Sequence, residues 1–200
     1  MTNTTRGPDG LPRCGWCAAA PAFVDYHDHE WGYPVSDDIR LFEKICLESF
    51  QSGLSWRTIL AKRENFRTAF AGFDYRQVAQ FDETDVDRLL TNAGIIRHRG
   101  KISAVINNAR RCCDLVAEYG SLAAYVWQFE ETETATPQTR TTSLQSVAMS
   151  KDLKKRGWKF VGPTTVFAFM QAMGLLNDHA ETCAMRAKAT AARRAFSPPA

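Results

Sequence analysis

Six cysteines and four histidines are the side chains in this 200-residue sequence best suited to hold a metal or move electrons, and six of the ten lie near the two ends of the chain. RCGWC places Cys14 and Cys17 two residues apart, with His27 and His29 downstream. Such a pair can be a redox disulfide, half of a zinc site or two unrelated thiols. NDHAETC sets His179 and Cys183 four residues apart, one helical turn, on one face. Imidazole and thiolate at that spacing suit tetrahedral zinc. Cys14 and His27, spaced C-x12-H, could supply two further ligands and tie one end of the chain to the other. A filled Cys2His2 shell leaves no open position for water, so its role would be structural.

A second group could bind a flat ring. DDIRLFEKICLESF, residues 37–50, puts Leu41, Phe42, Ile45 and Cys46 at helical spacing behind Ser36, a fitting N-cap. Glu48 follows Ile45 and Leu41 by three and seven residues, so it lies at the edge of the apolar face. It can snorkel to water, or it can be held near aromatic surface to accept hydrogen bonds from a ligand's amino group. Aromatics do collect nearby in short polar segments read as loops: Trp16, Phe23, Tyr26, Trp31 and Tyr33, then Trp56 after the Gly53 turn. Core packing is the ordinary use of such residues, Trp31 and Phe23 above all. Beside a carboxylate they also make a stacking pocket of the kind that holds extruded bases.

Helices must position these groups. SWRTILAKRENFRTAF reads as one helix capped by Ser55; ETDVDRLLTNAG as a short helix stopped by Gly94; RGKISAVINNARRCCDLVAEYG as a long one stopped by Gly120. LAAYVWQF adds a turn or two, EETETATPQTRTTS is a polar loop, and SVAMSKDLKKRGW starts another helix. TTVFAFMQAMGLL, entered through Gly162 and Pro163, reads as a helix buried on most sides. Alternating β-branched runs are scarce, so the expected fold is all-α. GIIRHRGK joins two helices, with Gly94 and Gly100 at its edges and Arg97, Arg99 and Lys101 around it. It could aim backbone N–H groups and cations at a phosphate, or be an ordinary αα-hairpin with a solvated basic tip.

With 44% hydrophobic residues the chain can bury a core, and a net charge of +3 permits a nucleic-acid partner without demanding one. The opening MTNTTRGPDGLPR lacks the apolar stretch of a signal peptide and no run is long enough to span a bilayer, which points to a cytoplasmic protein without membrane attachment. In a reducing compartment the cysteines read as thiols or metal ligands.

RCGW at 13–16, YHDHEWG at 26–32, LFEKICLESFQSGLSW at 41–56, AGIIRHRGKI at 93–102, and KKRGWKFVGPTT with MQAMGLLNDH from 154 to 179 together resemble the DNA-3-methyladenine glycosylase I family of base-excision repair enzymes. The resemblance runs from Arg13 to Cys183. It implies a helix-hairpin-helix glycosylase fold: one unit over residues 13–185 built of two interlocked helical subdomains, with its hairpin near 94–101 and flexible tails at 1–12 and 186–200. It further implies a structural Zn(2+) on Cys14, His27, His179 and Cys183, with Cys17 and His29 as bystanders. Glu48 would be the catalytic and base-reading carboxylate, with Tyr26 and Trp56 sandwiching the ring and Trp16 lining the same pocket. Gln51, Gly53 and Leu54 would approach the gap in the duplex, Leu54 as a wedge, and Phe50 stands where it could alter those contacts. Ile96, Arg97, His98, Arg99, Gly100 and Lys101 would meet DNA. The implied partner is double-stranded alkylated DNA, the implied product free 3-methyladenine, and a monomer is expected.

The implied chemistry is hydrolysis of the N-glycosidic bond of 3-methyladenine. Methylation at N3 already weakens that bond, so extrusion and binding are expected to carry most of the rate, with water attacking C1′. Relatives in the superfamily place an aspartate shortly after the hairpin; here GKISAVINNARR follows without one, and Asp114 arrives later. Two other functions fit parts of the sequence: a non-catalytic DNA-damage binding module, and a redox or zinc-sensing protein built on a reactive Cys17.

Overall fold

The computed structural model describes residues 4–132 and 136–199. Residues 1–3 and 200 of the expected tails and 133–135 of the expected Thr-rich loop lie outside the described residues. Among the described residues the fold is helical apart from one small antiparallel hairpin, β1 (Thr4–Arg6) against β2 (Pro12–Cys14), with Thr4 opposite Cys14. The helices are α1 (Pro21–His29), α2 (Asp38–Gln51), α3 (Trp56–Ala61), α4 (Arg63–Ala69), α5 (Tyr75–Val78), α6 (Glu83–Thr91), α7 (Arg99–Tyr119), α8 (Leu122–Val126), α9 (Leu144–Lys155), α10 (Pro163–Ala172) and α11 (Ala184–Ala195). None is long and apolar enough to cross a membrane.

Helix α2 is the hub, packed against α3, α7, α8 and α10. Every residue from Leu41 to Phe50 is buried, polar ones included. The sequence shows an amphipathic helix, but its polar face is covered as well, so each polar group there must find a protein partner. Glu43 meets Arg67 at 2.8 Å, Lys44 meets Glu48 at 2.6 Å, and Ser49 donates to the carbonyl oxygens of Ile45 and Phe160. Phe50 is fully buried against Phe66 and Phe70, with ring centroids 4.6 and 6.0 Å away, so it belongs to the core and not to a DNA-contacting turn.

Several boundaries differ from the sequence reading. The α2 cap is Asp37 and not Ser36: its carboxylate accepts from the Arg40 N–H at 2.8 Å and adds negative charge at the helix start. The single helix expected after Ser55 breaks at Lys62, whose ammonium reaches across to the carbonyls of Ala93 and Gly94. Helix α6 ends at Asn92, before Gly94. Gly94 serves instead as a close approach, since a Cβ there would meet Asn92 Oδ1 at 2.9 Å and the Asn65 side chain at 3.0 Å. Phe23 and Tyr26, read as loop residues, lie on α1. The segments expected as tails are structured in part: β1 lies before residue 13, and α11 runs to Ala195 with Met185 and Ala189 buried beneath it.

Candidate active site and metal centre

The hairpin, α1 and the segment before α11 bring the two ends of the chain together. Cys14, His27, His179 and Cys183 are all buried, and one donor atom from each lies within 4.8 Å of the others. His179 Nδ1 is 3.1 Å from His27 Nε2 and 3.7 Å from Cys183 Sγ; Cys183 Sγ is 3.5 Å from His27 Nε2, and Cys14 Sγ is 3.8 Å from His179 Nδ1. Two nitrogens and two sulfurs at zinc bond lengths of about 2.0–2.3 Å form a tetrahedron with edges of roughly 3.3–3.8 Å, which matches this spacing. The outer nitrogens are also fixed. His27 Nδ1 faces Asp28 Oδ1 at 2.8 Å, Asp28 is gripped by Arg13, and His179 Nε2 faces the Trp31 carbonyl at 3.1 Å. Such outer contacts orient metal-ligating imidazoles. Burial pushes Asp28 upward, but hydrogen bonds from Arg13 and His27 outweigh it and hold the carboxyl below its usual range.

Cys17 is outside this cluster. Burial, reinforced by Cys183 and Asp28, pushes its thiol up to about 12, so it is neutral and unreactive at pH 7. His29 is exposed and faces Asp25. Gly32 packs against the cluster: with φ of 85°, a Cβ there would meet His179 Nε2 at 2.9 Å. The donor set therefore fits one metal ion with no further ligand.

Beside the cluster, sharing α1 with it, lies a cavity of about 380 Å³ lined by Trp16, Phe23, Tyr26, Trp31, Glu48, Gln51 and Trp56 on one side. Gln138, Arg140, Ala168, Gln171 and Asp178 close the other. Glu48 is buried and lines this cavity. The Tyr26 and Trp56 rings are in contact, centroids 5.3 Å apart and tilted by 45°, so no flat ring fits between them as they stand. The expected sandwich is thus replaced by adjoining walls, because Trp56 packs on Tyr26 across α1 and α3. Trp16 stands 6.3 Å from Tyr26 and 5.3 Å from Trp31, completing an aromatic lining.

Two groups here were not singled out in the sequence. Lys44 donates to Glu48 Oε1 at 2.6 Å and to the Tyr26 hydroxyl at 2.7 Å, and its ammonium sits 3.5 Å from the Trp56 ring centre. Burial pulls Lys44 below the usual lysine range, against the pull of the Glu48 carboxylate; burial also holds the Tyr26 phenol well above its own. The i,i+4 spacing of Lys44 and Glu48 was visible, but such a pair on a helix normally marks a solvated face. Asp178 is the other acid at the cavity, held by the Gln138 N–H at 2.9 Å and Gln171 Nε2 at 2.6 Å, with burial raising its pKa. Asp114 is exposed beside Arg111, far in character from either.

The remaining expected residues form two adjacent surface features. After Gln51 the chain turns at Gly53, φ 77°, and leaves Leu54 42% exposed at its tip. Between α6 and α7, Arg97 is exposed and His98 caps α7 by accepting from the Lys101 N–H at 3.2 Å. Ile96 is half-buried against the core and Gly100 is exposed. Arg99 faces outward, paired with Glu83 and Asp87. Lys101 departs from expectation: it is buried, and its ammonium donates to the carbonyls of Phe50 at 2.9 Å and Ser52 at 2.6 Å. It satisfies orphan carbonyls at the end of α2 and so joins the hairpin to the Leu54 turn, with two of its three donors bonded within the protein.

The sequence model described as methyladenine glycosylase matches residues 16–187. The chain is 49% identical over 179 residues to DNA-3-methyladenine glycosylase 1 of Escherichia coli strain K12, covering 86% of this chain and 96% of that protein. Among solved structures it resembles the crystal structure of a 3-methyladenine DNA glycosylase I, with TM-score 0.82 and 48% identity, covering 86% of this chain and 98% of the other. It likewise resembles a tyrosine-to-phenylalanine variant of a 3-methyladenine DNA glycosylase I in complex with 3-methyladenine, with TM-score 0.82 and 36% identity, covering 87% and 97%.

Proposed function

This chain belongs to the methyladenine glycosylase family, and from that premise we propose that it hydrolyses the N-glycosidic bond of 3-methyladenine in alkylated DNA, releasing the free base and leaving an abasic site. The observation that carries the assignment to a site is the aromatic cavity with the buried Glu48 carboxylate on its wall. A nucleobase offers a π-face to Trp16, Tyr26 and Trp56 and an exocyclic amine to Glu48. Stacking is worth about 1–3 kcal/mol per base, enough to offset the few kcal/mol that extrusion costs.

The substrate base carries a positive charge that the glycosidic bond's electron pair neutralises as the base departs. Little acid catalysis is then required. Glu48 orients the base and opposes the developing charge on the sugar, the C1′–N9 bond breaks with its electron pair leaving on the base, which departs neutral, and water bonds to C1′ and gives up a proton to solvent. Leu54 fills the gap in the duplex, Gln51 and Gly53 shape that turn, and Arg97, His98 and the N-terminal backbone of α7 hold the phosphates. Arg99 joins them when it exchanges its exposed carboxylate partners for phosphate. Cys14, His27, His179 and Cys183 hold zinc, whose chemistry here is purely structural because the shell is filled.

The test is the spectrum of bases freed from N-methylated duplex DNA by the purified protein. 3-Methyladenine in the supernatant, with normal adenine and 7-methylguanine retained in the DNA, is the expected result. Tight binding of the same DNA without release of any base would turn the assignment to a damage-binding module.

A further inference from the structure

Lys44 is not among the residues lining the cavity, yet all three of its neighbours are. It stands behind the wall, in a narrow cleft bounded by Glu30, Arg40, Glu43, Arg63, Arg67 and Met173. An ammonium has three donors. One goes to Glu48 Oε1 at 2.6 Å, one to the Tyr26 hydroxyl at 2.7 Å, and the third side faces the Trp56 ring at 3.5 Å. Those contacts reach α1, α2 and α3 at once. A buried ammonium needs compensation, and these three groups supply it. Neighbouring cations offer no substitute: Arg63 is bonded to Glu30 and Arg67 to Glu43 and Glu64, while Arg40 is exposed. Across the cavity the charged groups are Asp178, held by Gln138 and Gln171, and Arg140, paired with Glu131.

We propose that Lys44 is a positioning residue for base recognition: it fixes one oxygen of Glu48 and the hydroxyl of Tyr26 from behind, so that the second oxygen of Glu48, which has no partner among the described residues, is presented to the base as a fixed acceptor. The proposal rests on the cavity being the base site. Without the ammonium, the carboxylate loses the contact that orients it, so the acceptor for the exocyclic amine is no longer held toward the base.

The experiment measures single-turnover release of 3-methyladenine from methylated duplex, and Kd for free 3-methyladenine, for wild type, Lys44→Met and Lys44→Arg, each also combined with Glu48→Gln. Circular dichroism and metal content establish folding. Lys44→Met should weaken base binding about tenfold or more at pH 7. Lys44→Arg should restore most of the loss, and in the Glu48→Gln background the Lys44→Met change should leave affinity where it was. A folded Lys44→Met with wild-type affinity and release rate overturns the proposal. If Lys44→Met does not fold, Lys44→Gln, which keeps a donor without the charge, is judged by the same criteria. Failure of the wild type to release or bind the base overturns the site assignment itself, and this proposal with it.

Discussion

At the scale of single residues, a carboxylate shut away from water is useful only if something recovers its lost hydration. Glu48 recovers part through Lys44 and would recover the rest through the amine of a bound base. Glu48→Gln keeps the size but loses the charge-assisted bond, which is worth about 1.5–3 kcal/mol. We expect single-turnover excision to fall by roughly 10- to 100-fold, with a parallel loss in affinity for the free base; equal values in a folded variant would remove Glu48 from recognition. Stability should respond differently. Breaking the buried pair from either side strands a charge and costs about 3–5 kcal/mol, whereas Lys44→Met with Glu48→Gln removes both charges. Urea unfolding should therefore show the double variant more stable than either single one. Because burial lowers Lys44 in the folded chain, the unfolded chain holds that proton more firmly, and the Lys44 contribution to stability rises with pH in the window between its folded value and about 10.4. Glu48 stood out in the sequence by its place at the edge of an apolar stripe. Lys44 did not, because nothing local says that α2 is covered on all sides; only the packing of its neighbours does.

At the scale of elements, the turn after α2 and the hairpin before α7 act as one piece, since Lys101 ties the carbonyls of Phe50 and Ser52 to the start of α7. Leu54 projects from that piece with 42% of its surface exposed. Leu54→Ala should slow excision from duplex DNA while leaving Kd for free 3-methyladenine unchanged; a loss of both would place Leu54 in the cavity wall instead. Arg97→Ala should lower the slope of log Kd against log salt by about 1, as expected for one lost phosphate contact. Lys101→Ala should lower thermal stability more than it changes that slope, because its ammonium is buried and bonded to the carbonyls of Phe50 and Ser52. The motif made the hairpin legible, yet it could not distinguish a lysine that reaches outward from one that reaches back 51 residues to end another helix. The tilt of Trp56 onto Tyr26 was hidden for the same reason: residue types specify a stacking surface, and the crossing of α1 and α3 decides how the rings meet.

At the scale of the whole molecule, the Cys14, His27, His179 and Cys183 cluster closes the chain on itself, and the Tyr26 wall of the cavity is the residue next to one of its ligands. Metal removal should therefore loosen the base site as well as the fold. Prolonged treatment with a chelator, or Cys183→Ser, should lower the melting temperature and weaken 3-methyladenine binding together; retention of both would mean that the ends hold without a metal. Acid should act elsewhere. Arg156 binds Glu118 and Asp152. Hydrogen bonding to Arg156 lowers Glu118, and at Asp152 the same partner outweighs an upward push from burial. Carboxyls lowered by folding stabilise above their unfolded values and lose that contribution as pH falls through the folded ones, below about 4. Arg156→Ala should flatten this acid decline only slightly, since the carboxylates are exposed to solvent screening. The Cys14, His27, His179 and Cys183 cluster was readable because four positions far apart in sequence share one chemistry, that of a site able to hold a metal ion. The order in β1 and α11 was not, because short polar and basic segments take structure from what they pack on.

The most direct test of the central claim is release of 3-methyladenine from methylated duplex DNA by metal-loaded wild-type protein beside Glu48→Ala. The cavity account predicts release by the wild type and its loss in a variant that retains fold and metal. Equal release by both would show that the base is read elsewhere, and no release by either would contradict the glycosylase assignment.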